Sequence, residues 1–326
     1  MRERTSGLAD HPELDWGKGT QLAAERALMR LTDAFVLRSV DAVRDAQNGE
    51  PIKILIWTAI WTANVRHLIN SPASSEYGRL DSPPPDEMRK PISVLALSNS
   101  LNIPYETVRR HSAALVASGY CQRIDRQGLV VPAAMFSDPG MIDYARKMLA
   151  ATMRFLGDLH RVRFDFGPAM SKAPAMEDMV ATARAGIRLH GELMVHEAER
   201  LGKAHGNYMT GLIYMIVLAA NLDHVVRAWD GEGSTFEADL GSDELRRPVT
   251  VLSIADSLRM PYETVRRHVN RMVREGRLAK TGSQGVIVPA EVQRRFEDEE
   301  SVRLNHVRIQ RFVADLQRAG LPMPAR

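Results

Sequence analysis

Apolar residues recur three or four positions apart over 20–47, as at Leu28, Leu31 and Phe35, and again over 177–204. That period predicts two amphipathic helices. Each leads into a stretch that is apolar on most faces, 52–70 and 208–229, and such a helix is buried in a core or between subunits. A Pro/Ser-rich loop, SPASSEYGRLDSPPP, follows the first. Then the period shortens. Val94, Leu97 and Leu101 mark one face of a short helix, with Ser93 as its N-cap. Asn102 and Ile103 break it. Pro104 sits where proline favours a helix start, and a second short helix runs over 105–118 to Gly119, a C-terminal glycine. Val108, Leu115 and His111 face inward; Tyr105, Glu106, Arg109, Arg110 and Ala113 face outward. Two short strands, 121–124 and 129–131, flank Asp125-Arg126-Gln127-Gly128, the pattern of a hairpin with a polar tip. Apolar periodicity returns over 139–162 and 291–318.

The doubling of these features is a sequence repeat. Residues 89–135 align with 246–292 without a gap, 157 positions apart, and 21 of 47 positions are identical. The identities include an unbroken PYETVRRH. The same offset holds outside the block: Asn64 and His67 fall on Asn221 and His224, Asp86 on Asp243, and Phe155 and Asp158 on Phe312 and Asp315. A whole unit is therefore duplicated. The expected organisation is a flexible N-terminus at 1–19, a first unit at 20–163, a linker at 164–176 containing two Pro and one Gly, a second unit at 177–320 and a tail at 321–326.

Two helices, a tight turn and a β wing make a winged helix-turn-helix. The segments LSNSLNIPYETVRRHSAAL and IADSLRMPYETVRRHVNRM resemble the helix-turn-helix of bacterial winged-helix transcriptional regulators. With its flanking helices, each unit is similar in size and layout to a MarR-type protomer. That resemblance implies dimerisation through terminal helices and two recognition helices in successive major grooves. The chain departs from the pattern at Asn102 and Arg259, which replace the turn glycine, in the long loop before the block, and in fusing two copies. The expected fold is mainly α with small β wings, two tandem winged helix-turn-helix units forming an intramolecular pseudo-dimer.

Charge sharpens this picture. Net charge is only +3 over 326 residues, but 36 of the 43 basic residues are Arg. Guanidinium groups suit phosphate and guanine. The two repeated blocks together carry +9, leaving −6 on everything else. Positive charge confined to two helix-turn-helix blocks is the footprint of a duplex binder. Arg109, Arg110, Arg266 and Arg267 reach guanine edges or phosphate. Glu106 and Glu263 accept from cytosine or orient an adjacent arginine. Tyr105, Thr107, Tyr262 and Thr264 bind phosphate at the helix start, or the tyrosines pack on the preceding helix. Asn270 lies on the same helix. Arg126 and Lys280 belong to the wings. The second unit adds Arg271, Arg274 and Arg277 where the first has Ala114, Ala117 and Tyr120, so it is expected to carry more of the salt-dependent affinity.

Other chemistry is sparse. Trp57, Trp61, Asn64, His67, Asn221 and His224 on the apolar second helices are candidates for an effector pocket. Alternatively, the tryptophans are packing and the Asn and His residues hydrogen-bond across the pseudo-twofold axis. His190, His196 and His205 match no compact metal motif, and no cofactor or metal is expected. The lone Cys121 excludes an intrachain disulfide and suits a wing strand better than a redox sensor. There is no phosphate loop, nucleophile elbow or carboxylate pair, so an enzyme is not expected. No apolar stretch suits a membrane span or secretory signal, and the expected setting is cytoplasmic, on the nucleoid. The expected function is a sequence-specific regulator of double-stranded DNA, a monomeric pseudo-dimer or homodimer, with a small-molecule effector as a further candidate partner. A plasmid-type replication initiator, an architectural DNA protein and a protein-binding winged-helix scaffold remain alternatives.

Overall fold

The computed structural model describes residues 18–47, 50–68, 76–167, 176–228 and 242–324. The protein is mainly helical with two small antiparallel hairpins. Its first half runs α1 (Lys18–Gln47), α2 (Pro51–Val65), α3 (Val94–Leu101), α4 (Tyr105–Ala117), β1 (Gln122–Ile124), β2 (Gly128–Val130) and α5 (Pro139–Arg161). The second half runs α6 (Met176–His205), α7 (Tyr208–Ala228), α8 (Val251–Leu258), α9 (Tyr262–Arg274), β3 (Ala279–Thr281), β4 (Gly285–Ile287), α10 (Ala290–Phe296) and α11 (Glu299–Arg318).

The four long amphipathic helices α1, α5, α6 and α11 pack on one another. Their apolar stripes meet around Phe35, Phe155, Leu156, Leu193, Ile309 and Phe312. Phe35 is the centre of that core: its ring stacks on Phe155 at 4.5 Å and meets His190 edge-on at 4.7 Å. The expected apolar helices are buried over most of 51–65 and 208–218, while Arg66, His67, Ala219, Ala220 and Asp223 are exposed. Helix α2 lies against α4 of its own half and against α6 of the other, and Gly191 of α6 makes the close approach to Trp61 that any Cβ would block.

The last helix of the second half differs from its sequence reading. The stretch 291–318 is two helices, broken where the Asp298 carboxylate caps Ser301 N at 2.7 Å. In the first half the Asp138 cap comes earlier in the aligned register and gives one helix from Pro139. The expected N-terminal segment falls almost wholly outside the described residues, as do 168–175 of the linker. Of the tail, Leu321 is buried in the long-helix core.

Candidate nucleic-acid interface

Each helix–turn–helix is fixed by local bonds. The Ser93 and Thr250 hydroxyls accept from Ala96 N and Ser253 N, each at 3.1 Å, and so cap α3 and α8. Asn102 and Arg259 end those helices in the left-handed region, at φ 51° and 48°. This is the turn position where glycine was missing, and an Arg there is strained more than an Asn. Pro104 and Pro261 then start α4 and α9. Val108 and Leu115, and Val265, Val269 and Met272, are buried and turn the opposite face outward.

The wings are anchored identically. Ile92 and Val249 each make an isolated antiparallel bridge, to Leu129 and Val286, beside the two-stranded hairpins. Gly128 and Gly285, at φ 137° and 134°, lie so close to those residues that a Cβ would sit 2.3 Å from the Ile92 or Val249 carbonyl oxygen. Asn64 donates to Lys90 O at 2.8 Å and Leu129 O at 3.0 Å and accepts from Val131 N at 2.9 Å. Asn221 repeats this with Arg247 O, Val286 O and Val288 N. Asp86 and Asp243 take Ala133 N and Ala290 N, both at 2.6 Å.

The outward face of α4 and α9 carries the expected side chains. Tyr105 and Tyr262 are 45% and 44% exposed, so both keep a large solvent-facing part. Glu106 holds Arg109 Nε at 2.8 Å, and Glu263 holds Arg266 Nη2 at 2.7 Å, all four exposed. The hydrogen bond from Arg266 holds the Glu263 carboxyl below its ordinary range. These glutamates thus orient the neighbouring arginine. Arg110 and Arg267 are exposed beside them, the latter donating to Glu263 O at 3.3 Å. Thr107, Thr264 and Asn270 are half-buried on the flank; Arg274, Lys280 and Arg126, the last at φ 57°, are exposed.

Two sequence expectations need correction. Arg271, its side chain 41% exposed, donates to Thr210 Oγ1 at 2.8 Å, and Arg277 donates to His205 O at 2.9 Å and pairs with Glu275. Arg271 reaches the body of the protein because α9 lies against α7. Arg89 and Arg246 are also buried: Arg89 lies over the Phe136 ring at 4.9 Å, and burial pushes its guanidinium down to about 10. The surplus of cationic surface on the second half therefore shrinks. Reasoning from the sequence also passed over exposed Arg123, the partner of Lys280 at the 157-residue offset, and exposed Lys90 and Arg247. The repeat itself carried the signal for all three.

The six effector-pocket candidates are not brought together. Asn64 and Asn221 spend their carboxamides on the backbone of their own half rather than across an axis. Trp57 is core and donates to Tyr120 O at 3.4 Å, Trp61 packs near Phe136, His67 is exposed and His224 is half-buried in the other half. His190 is buried on Phe35 and bonds Thr152 Oγ1 at 2.8 Å. Burial pushes the Cys121 thiol up to about 12, which leaves it unreactive. No helix among the described residues is long and apolar enough to cross a membrane. No family model, curated protein or solved structure matches this chain.

Proposed function

We propose that the two halves are tandem winged helix-turn-helix units, packed as an intramolecular pseudo-dimer, and that the protein is a sequence-specific double-stranded DNA-binding transcriptional regulator. The observation that carries this reading is the matched outward face of α4 and α9. The same Tyr, Glu and paired Arg stand exposed on two helices, each held by the same cap, turn and wing anchor. Arg109 and Arg266, braced by Glu106 and Glu263, are set for base edges; Arg110 and Arg267, with the wing cations Arg123, Arg126 and Lys280, are set for phosphate. Shared α1, α5, α6 and α11 packing makes the second DNA contact intramolecular, so binding does not depend on dimerisation.

Selection from a random duplex pool tests the reading. The expected product holds two related half-sites about one helical turn apart. A pool that yields no enriched sequence, or one half-site alone, contradicts it. Mapping bound sites across the genome separates a regulator, with sharp promoter peaks, from an initiator at an origin or a broadly distributed architectural protein.

A further inference from the structure

The two halves carry related cavities, and they are not alike. Each lies between the second helix of one half, the start of that half's last helix and the first helix of the other half. Under α2 the space is only about 40 Å³, because Trp61, Phe136 and Tyr144 fill it. Under α7 it is about 330 Å³. Leu218 and Ser301 stand there at the aligned positions of Trp61 and Tyr144. With Gln293 at the aligned position of Phe136 as well, none of the three filling aromatics is present, and the chamber is of ligand size.

Two of the residues that line this chamber carry polar atoms without partners. Tyr214 and His205 are both more than nine-tenths buried, and neither Tyr214 Oη nor His205 Nδ1 has a hydrogen bond. Such groups are costly to bury unless something satisfies them. A carboxylate stands with them. Arg200 serves two acids at once, giving Nε to Glu197 and Nη2 to Asp33, both at 2.6 Å. Arg308 adds a second donor to Glu197 at 3.0 Å, whereas Asp33 receives the single Arg200 bond. Glu297 on the same wall is already held by Arg30 and Gln293. Burial, with Glu197 and Glu297 nearby, pushes Asp33 up to about 6 despite Arg200. Burial drives His205 down to about 3, so its ring is neutral and can accept. The chamber is therefore walled by the Asp33 carboxylate, by Tyr214 and His205 with their unpartnered atoms, and by Met29, Leu218 and Phe296 as apolar residues.

We propose that the cavity under α7 binds one small planar aromatic cation per chain, an amidinium or ammonium group on Asp33, Tyr214 and His205 and its ring against Leu218 and Phe296. This site stands on its own observations and is independent of the DNA reading. It differs from the six residues first considered as an effector pocket.

The test titrates the full-length protein, without DNA, with benzamidine as the cationic probe and benzoate as its anionic counterpart, read by calorimetry and saturation-transfer NMR. Benzamidine is expected to saturate at one per chain and benzoate to bind at least about tenfold more weakly. Asp33→Asn removes the charge, and Leu218→Trp restores the bulk of the first half while leaving every charge in place. Each is expected to weaken benzamidine at least about tenfold. If Asp33→Asn does not fold, Leu218→Trp alone decides. No saturable benzamidine binding, preference for benzoate, or unchanged affinity in Leu218→Trp overturns the proposal.

Discussion

The two halves of this chain agree on one side and disagree on the other. On the wing side, caps, turn, hairpin register and anchoring asparagine repeat almost bond for bond. On the inner side, aromatics fill one junction and leave the other hollow, and aligned positions carry opposite chemistry: Phe35 answers Glu192, and Asp33 answers His190. The difference shows which geometry the fold needs twice. Orienting a helix and a wing requires fixed backbone contacts. Closing a helical core requires only that the summed volumes fit, and different side chains can meet that condition.

The largest expected break in symmetry lies in the long-helix core. Phe35→Ala removes a fully buried ring stacked on Phe155, and the second half has no aromatic at that position to compensate. The expected loss is about 3–5 kcal/mol by denaturant titration, while Glu192→Ala is expected to cost far less. Comparable losses would show that the two halves share the core evenly.

Next come the wing anchors. Asn64→Ala and Asn221→Ala each leave three backbone groups of a wing without a side-chain partner. Each is expected to cost about 2–3 kcal/mol, the two values agreeing closely, as measured by equilibrium unfolding. A large inequality would mean that the matching bonds do not carry matching energy.

The aligned pair Asp33 and His190 gives opposite responses to pH. Burial lowers His190 from 6.5 to about 3, so between those values the unfolded chain binds a proton that the folded chain does not. Stability from this site is whole above pH 6.5 and falls as the solution becomes more acid. By pH 5 the loss approaches about 2 kcal/mol. Asp33, raised to about 6, works in the other sense: the folded chain holds the extra proton, and stability falls as pH rises through about 6. His190→Gln is expected to flatten the acid limb of stability against pH. An unchanged limb would exclude His190 as its source.

The smallest effect lies at the turn. Arg259→Gly is expected to stabilise by up to about 1 kcal/mol, because glycine adopts φ 48° without a Cβ penalty, and Asn102→Gly by only a few tenths. Equal shifts in melting temperature would mean that the left-handed backbone costs Arg no more than Asn.

Much of the wing side was legible in the sequence because its signals are local. Ser93 and Thr250 as caps, Pro104 as a helix start and Gly119 as its end each act within a few residues. The outward face of α4 followed from spacing alone. What escaped was tertiary. Nothing near Arg271 or Arg277 announces that Thr210 and His205 lie within reach. The roles of Asn64 and Asn221 depend on a strand some 65 residues away. The split before α11 turned on which acid, Asp298 rather than a residue aligned with Asp138, captured the helix end. The cavity under α7 is a volume difference, visible only once helices from both halves surround Leu218.

The salt dependence of duplex affinity, measured for the protein and for its variants, tests the DNA reading most directly. Arg109→Ala with Arg110→Ala, and Arg266→Ala with Arg267→Ala, are each expected to reduce the slope of log affinity against log salt by up to about two, and by equal amounts. Arg271→Ala with Arg277→Ala, which breaks inward contacts, is expected to leave that slope unchanged. A slope that neither outward pair alters, or that the inward pair alters most, would contradict a protein that grips DNA with two matched faces.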